Sequence, residues 1–328
     1  MRALLCQSFG TIDELAIADV APPAAPASGE VLVEVAAAGV NFADILMVTG
    51  RYQEKSPLPF TPGLEAAGIV RACGSGVSRA KPGDRVIALV DRGAFAAALL
   101  ARESDVLVMP ERMDFATAAG FAIAYGTAHG ALRWRADMQP GEVLLVHGAA
   151  GGVGLTAVEV GKAMGATVIA TAGDADKLAI ARSHGADHLI DYRKEDIRER
   201  VKAICRGGGA DVVFDPVGGT AFEASLRCVN WGARLVVVGF AGGDVPQIPA
   251  NILLVKNIAA LGFYWGSYRK QRPELVAEQA RELFGWWQEG RLRPRVSERF
   301  DLADAGKALA LLRDRKATGK VVLTLDGR

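Results

Sequence analysis

Glu142-Val143-Leu144-Leu145-Val146-His147-Gly148-Ala149-Ala150-Gly151-Gly152-Val153-Gly154 is the stretch that decides the architecture. An apolar run of strand type, Val143 to Val146, enters a cluster of glycines, and a helical pattern from Leu155 to Gly165 leaves it. Gly148, Gly151 and Gly154 follow a GxxGxxG spacing. Such a spacing lets the chain turn tightly, lets its backbone approach a pyrophosphate, and packs the new helix against the strand. The helix N-terminus adds free N–H groups and a partial positive charge. A glycine triplet alone also fits an ordinary strand-to-helix turn. Here strand, helix and second strand follow in order, and the stretch reads as a dinucleotide site with Gly151, Gly152 and Val153 at its centre.

Working outward, strands and helices alternate from Glu142. Strands are expected at Val143 to Val146, Thr167 to Thr171, His188 to Ile190, Asp211 to Phe214, Arg234 to Val238 and Ile258 to Gly262, with helices at 153 to 164, 175 to 184, 195 to 204 and Ala221 to Cys228. Their continuous Val/Ile/Leu runs suit strands covered on both faces. Six such strands with crossover helices predict a doubly wound, six-stranded parallel sheet. Before Pro110 the texture differs: short strands, such as Met1 to Gln7, Glu30 to Ala37, Ala67 to Ala72 and Arg85 to Val90, are separated by Gly and Pro. That is an all-β unit, expected as a partly closed barrel. Asn41 to Tyr52 interrupts it with one or two helical turns. After Pro110, Asp114 caps a helix and Tyr125 to Trp134 forms another. The last elements, from Pro273 to Leu325, do not continue the sheet pattern and are expected to fold back on the N-terminal unit. The expected division is 1–122 with 266–328 as one discontinuous domain, and 123–265 as the inserted dinucleotide-binding domain.

With 328 residues, half of them hydrophobic, the chain can bury two cores. A formal charge of +1, without long Lys/Arg runs, gives no reason to expect nucleic acid or an anionic membrane as partner. No run approaches the length needed to cross a bilayer, and the expected location is cytoplasmic. Cys6, Cys73, Cys205 and Cys228 are scattered without a CxxC pair, as buried thiols in a reducing compartment would be.

The end of the second strand of a dinucleotide fold chooses between NAD and NADP, because an acid there bonds the ribose hydroxyls and repels a 2′-phosphate. By spacing, Ala172 sits where that acid would be. Gly173 leaves room for a phosphate, and Lys177 and Tyr192 can supply hydrogen bonds to it. Asp174, which also suits a helix cap, adds some repulsion; the balance favours NADPH over NADH. Metal ligands do not converge. His184 and His188 are four apart, but Gly185 spoils a shared face, and the pair reads as surface residues. His147 reads as a packed or hydrogen-bonded residue rather than a base. A Ser-His-Asp hydrolase fails for want of a Gly-x-Ser-x-Gly elbow.

Three further runs carry a resemblance: Ala38-Gly39-Val40-Asn41-Phe42-Ala43-Asp44, Gly50-Arg51-Tyr52, and Pro59-Phe60-Thr61-Pro62-Gly63-Leu64-Glu65-Ala66-Ala67-Gly68. With His147 to Gly154 and the closing Gly319-Lys320-Val321-Val322-Leu323, they resemble the zinc-independent quinone oxidoreductases. These are relatives of zeta-crystallin within the medium-chain dehydrogenase/reductase superfamily, and the similarity spans essentially the whole chain. The resemblance implies a GroES-like fold for the partly closed barrel. Zinc-dependent members carry a Cys where this chain has Asn41 and a His-Glu pair where it has Leu64-Glu65, so the resemblance implies hydride transfer without a metal. It also implies that Asn41 lies beside the nicotinamide, Tyr52 lines the substrate cleft and Thr127 approaches the cofactor. Val153 then packs on the nicotinamide side, Gly173, Lys177 and Tyr192 surround the 2′-phosphate, and Val217 lies near the adenosine. The backbones of Val238, Gly239, Phe240, Phe263 and Trp265 would surround the nicotinamide. A homodimer through the edge strand near Ile258–Gly262 is implied in the same way.

A quinone accepts hydride readily and its reduced oxygens can be protonated from water, so the protein mainly has to align donor and acceptor. Tyr52 is the candidate to donate a hydrogen bond or proton, with Asn41 as a second donor. The aromatic wall of Phe240, Phe263, Tyr264 and Trp265 suits a flat acceptor, although sheet-edge packing would select the same residues. Two other readings stay open on the same scaffold. One is reduction of an activated C=C bond in an enone, alkenal or acyl thioester, where Arg51, Lys55, Arg92 or Arg269 would meet a thioester's phosphates. The other is non-catalytic NADPH binding.

Overall fold

The computed structural model describes Met1 to Leu325. The chain forms two compact units, Met1–Ile123 with Pro294–Arg328, and Ala124–Arg293.

The first unit opens with β1 (Arg2–Leu5) and β2 (Ala16–Asp19), an antiparallel pair. Then come β3 (Glu30–Val40), α1 (Phe42–Val48), β4 (Glu65–Cys73), β5 (Arg85–Leu89), β6 (Ala98–Arg102), β7 (Val106–Val108) and α2 (Phe115–Ala119). Asp114 caps α2, accepting from the Thr117 N–H at 3.0 Å. The long β3 organises the sheet. One edge pairs with β4; the other pairs first with β6, over Glu30 to Glu34, and then, over Ala37 to Val40, with a strand from the far end of the chain. Register shifts between Leu32 and Val33 and between Val35 and Ala37 mark where β3 bends to serve both. Val31, Val33, Val40 and Phe95 are buried in its core.

The second unit begins within α3 (Ala122–Gly130), which runs into a π-helical turn over Ala131–Arg135. It continues as β8 (Val143–Val146), α4 (Gly152–Ala163), β9 (Thr167–Ala172), α5 (Ala175–Ser183), β10 (His188–Asp191), α6 (Ile197–Ile204), β11 (Ala210–Asp215), α7 (Gly219–Ser225) and β12 (Val229–Val237). α8 (Ala250–Lys256), β13 (Ala259–Gly262), α9 (Trp265–Gln271) and α10 (Pro273–Gln288) complete it. The sheet order is β10-β9-β8-β11-β12-β13, with all neighbours parallel. The chain therefore winds outward in one direction from β8 and in the other from β11. Ligands of such sheets bind at the C-terminal ends of the two strands where the direction reverses.

The expected boundary at 265/266 is corrected to 293/294. α9 and α10 stay with the second unit because polar and aromatic contacts tie them to α3. The Trp265 indole donates to Gln279 Oε1 at 2.8 Å, and the Gln279 amide donates to the Gly126 carbonyl and to His129 Nδ1, both at 3.0 Å. Only β14 (Val296–Asp301), α11 (Ala305–Arg313) and β15 (Lys320–Thr324) return to the first unit, where β15 is the strand that pairs with the second half of β3. α8 is not among the expected helices; it is a short apolar run, Ile252 to Val255, whose residues are not fully buried. No helix among the described residues is long and apolar enough to cross a membrane.

Candidate active site

In the second unit, the glycine turn forms where β8 and β11 end side by side. Gly148 takes a positive φ of 58°, and the Val217 side chain comes within 3.3 Å of where a Gly148 Cβ would stand. At Gly154 a Cβ would lie 2.2 Å from the Gly148 carbonyl oxygen, so α4 rests directly on the turn's backbone. The first N–H groups of α4, those of Gly152, Val153 and Gly154, have no carbonyl within the helix to bond, and face an anion's natural position. After β11, Asp215 Oδ1 accepts the Val217 and Gly218 N–H groups at 2.8 and 3.0 Å, fixing the opposite loop.

His147 is buried directly beneath this turn. Its Nε2 meets the Ser225 hydroxyl at 2.7 Å and its Nδ1 meets that of Thr171 at 3.0 Å. Ser225 already donates to the Ala221 carbonyl at 2.9 Å, so it accepts from Nε2–H, and Nδ1 accepts from Thr171. Burial holds the imidazole pKa below its ordinary value. The ring is a neutral brace, not a base. His184, expected at the surface, instead bonds the buried Glu159 carboxylate at 2.5 Å.

At the end of β9, the Tyr192 hydroxyl lies 2.7 Å and Arg193 Nε 3.1 Å from where a Gly173 Cβ would stand. A phenol and a guanidinium thus converge over bare backbone. Asp174 is turned aside: its Oδ1 caps α5 by accepting the Lys177 N–H at 2.8 Å, and its Oδ2 pairs with Lys177 Nζ at 3.5 Å. Sequence reasoning named Gly173, Lys177 and Tyr192 and missed Arg193. Its adjacency to Tyr192 was the available signal.

The strand ends beyond β12 and β13 also gather. Val238 N–H donates to the Asp215 carbonyl at 2.9 Å and Phe263 N–H to that of Val237 at 3.0 Å; Phe240 packs over Gly218, and Gly239 over Pro216. The expected aromatic wall is corrected in part. Phe263 and Trp265 are buried, their rings pressed against Gly130 and Gly126 of α3, so only their backbones remain to meet a ligand. Phe240, 38% exposed, is a surface ring. Thr127 is half-buried on α3 between these contacts.

In the first unit, Asn41, Asp44, Glu65 and Lys320 are all buried and form one cluster at the junction of β3 and α1. Lys320 Nζ donates to the Val40 carbonyl at 3.1 Å, Asn41 Oδ1 at 2.7 Å and Glu65 Oε1 at 2.9 Å. The Asn41 amide donates to Glu65 Oε1 at 3.0 Å and the Gly39 carbonyl at 3.3 Å. Glu65 Oε2 accepts the Ile123 N–H at 3.1 Å, and Gly39 makes room for the carboxylate, since a Cβ there would come within 2.6 Å of it. Asp44 Oδ2 accepts the Asn41 N–H at 2.7 Å; its Oδ1 has no hydrogen-bond partner among the described residues. Burial pushes the Asp44 carboxyl up to about 7, with Glu65 pushing the same way and the Asn41 N–H and Lys320 opposing. Both amide hydrogens of Asn41 are spent, which corrects the expectation of Asn41 as a second donor. Tyr52 follows α1, half-buried against this unit's core, its N–H bonded to the Leu46 carbonyl at 3.0 Å. Glu65 and Lys320 were not singled out as site residues; a lone lysine opening the apolar strand Lys320–Thr324 was the signal.

Residues 27–130 match the profile of the alcohol dehydrogenase GroES-like domain, and residues 152–281 that of the zinc-binding dehydrogenase. The chain is 41% identical to quinone oxidoreductase-like protein 2 of Bos taurus, over 99% of this chain and 92% of the relative. The chain belongs to the quinone oxidoreductase-like branch of the medium-chain dehydrogenase/reductases. Escherichia coli quinone oxidoreductase complexed with NADPH is similar in structure, with a TM-score of 0.92 and 33% identity, covering 99% of this chain and all of that one. The CurK enoyl reductase has a TM-score of 0.90 at 29% identity, covering 99% of both chains. The zinc in the second profile's description does not fit the residues present. Leu64 offers no ligand atom, and the oxygens of Asn41 and Glu65 already carry the Lys320 ammonium, whose charge would oppose a second cation.

Proposed function

We propose that this protein transfers hydride from NADPH to a quinone, without a metal ion. The observation that carries the cofactor reading is the bare Gly173 with Tyr192, Arg193 and Lys177 around it, beside the glycine turn of α4. A 2′-phosphate there meets charge-assisted and neutral donors and no open carboxylate. Replacing Arg193 by alanine is expected to weaken NADPH binding about tenfold while leaving NADH within about twofold, as measured by nucleotide titration. An equal change for both nucleotides would remove Arg193 from the phosphate site.

The hydride carries two electrons and one hydrogen to the quinone, leaving NADP⁺ and a hydroquinone monoanion, which takes one proton from water or from one positioned donor. Tyr52 is that donor in our reading, because Asn41 has no hydrogen to give. Tyr52→Phe is expected to lower kcat about tenfold with KM little changed; an unchanged kcat leaves Tyr52 as wall only. The same scaffold supports a second reading, reduction of an activated C=C bond, on its likeness to the CurK enoyl reductase. Steady-state oxidation of NADPH and NADH with an ortho-quinone, a para-quinone and a simple enone separates the two. Fast turnover with a quinone and NADPH supports the first, and turnover with the enone alone supports the second.

We further propose a cytoplasmic homodimer. β13 is the sheet's edge strand, bonded to β12 on one side only, and neighbouring Trp231, Leu254 and Val255 are 77%, 77% and 78% exposed. A bare edge beside exposed apolar side chains invites association, and a second copy of the chain would cover both. Val255→Asp is expected to halve the mass seen by light scattering; a wild-type monomer would end this reading.

A further inference from the structure

We propose that His147, with Asp215 on the neighbouring strand, takes up a proton from solvent when the dinucleotide's phosphates settle on the glycine turn, making it a positioning residue whose charge follows the cofactor; this rests on the NADPH reading above. Every part of the device lies within the second unit. His147 directly follows β8 and Asp215 ends β11; the two strands are parallel neighbours, and the His147 N–H donates to the Phe214 carbonyl at 3.1 Å. Both side chains are buried. Asp215 Oδ1 accepts the Val217 and Gly218 N–H groups, while its Oδ2 has no hydrogen-bond partner among the described residues. A buried carboxylate oxygen left without a donor favours positive charge nearby.

The ring is surrounded so that it can hold one proton or two. Each nitrogen faces a hydroxyl, Thr171 at Nδ1 and Ser225 at Nε2, and a hydroxyl can donate or accept. In the free protein Nδ1 accepts from Thr171; with a proton on Nδ1 that contact reverses, and Thr171 accepts. A backbone N–H at either nitrogen would forbid the second proton. The charges bearing on the ring are few. Asp215 of β11 favours the imidazolium, the positive end of α4 opposes it, and Thr171 of β9 and Ser225 of α7 are neutral. Burial outweighs Asp215 and keeps the free ring neutral. Phosphates at the start of α4 cancel that helix charge and add negative charge beside a ring one residue from Gly148, so its proton affinity rises. Uptake is confined to the pH range between the free and the bound pKa. Above it neither state holds the proton, below it both do, and within it NADPH binds more tightly as pH falls. The competing account is a fixed neutral brace.

The test is calorimetric titration of wild type and His147→Asn with NADPH at pH 6.5 and pH 8.5, each in two buffers of different ionisation enthalpy, which counts the protons exchanged. The 2′-phosphate of NADPH titrates in the same range and contributes to both proteins, so the difference between them isolates His147. Wild type is expected to take up about half a proton more than the variant at pH 6.5 and no more at pH 8.5, and to lose about threefold more NADPH affinity across that interval. A brace alone would shift affinity equally at both pH values. Asp215→Asn keeps an oxygen for the two N–H groups and should shrink the excess. Should the variants fail to fold, 15N NMR of the histidine rings in wild type reads the protonation directly: saturating NADPH is expected to turn the His147 signals from the neutral towards the imidazolium pattern. Equal proton counts in wild type and His147→Asn, or a ring that stays neutral in the complex, would overturn the proposal. Wild type that binds NADPH yet reduces no quinone would sink only the acceptor assignment, whereas wild type that binds no NADPH would sink the NADPH reading and this proposal with it.

Discussion

Alanine at position 154 is expected to weaken NADPH binding about 100-fold or more, on the scale of what a 1 Å misplacement costs a preorganised site. The new Cβ would lie 2.2 Å from the Gly148 carbonyl oxygen, 2.8 Å from its carbon and 3.1 Å from Ala149 Cα. All three are backbone atoms, so no rotamer change relieves the clash. α4 has to move away from the turn, and its unbonded N–H groups move with it. Gly151→Ala is the steric control: its Cβ would meet only the Gly148 oxygen, at an ordinary 3.4 Å, and the melting temperature should stay at the wild-type value. Nucleotide titration of folded Gly154→Ala decides the matter; undiminished affinity would show that the helix N-terminus does not hold the pyrophosphate.

Asp44→Asn is expected to stabilise the protein, and only on the alkaline side. Burial pushes the folded-state carboxyl up to about 7, whereas an unfolded aspartate titrates near 3.8. Below about pH 4 both states hold the proton, and Asp44 contributes nothing to the pH dependence. Between about pH 4 and 7 the unfolded chain releases its proton while the folded chain keeps it, so the unfolded state binds fewer protons and stability falls as pH rises. Above 7 both are ionised and the loss is complete, at on the order of 4 kcal/mol for a shift of about three units. Asparagine keeps an oxygen for the Asn41 N–H and never ionises. Denaturant unfolding of both proteins at pH 4 and pH 8 should show near equality at the first and a clear advantage for the variant at the second. An advantage equal at both values would mean that Asp44 is not the titrating group; the charged neighbours Glu65 and Lys320 remain in both proteins.

The six parallel strands were legible because each is a short apolar run bounded by Gly or Pro, and the glycine turn because its spacing serves backbone geometry, which is local. What resisted reading was non-local. α10 has its own amphipathic pattern, but nothing in that pattern says that Gln279 would bridge Trp265 to His129 and keep the helix with the second unit. Phe263 and Trp265 are aromatics at a strand end, and sequence alone does not tell a ligand wall from rings buried against Gly130 and Gly126. The Asn41 cluster was half legible. Asn41 and Glu65 stand out in motifs, yet the partner that decides what the amide can do, Lys320, is 279 residues away from Asn41.

That separation bears on how the protein comes into being. On a ribosome, β3 emerges early with one half of its outer edge open, and the buried carboxylates of Asp44 and Glu65 have no cation to meet. Their counter-ion arrives only after the whole Ala124–Arg293 unit has been synthesised, a unit whose own strands pair among themselves and whose folding need wait for nothing outside it. The N-terminal unit can therefore be completed only once the inserted unit has been synthesised, when β15 closes beside β3 and delivers Lys320.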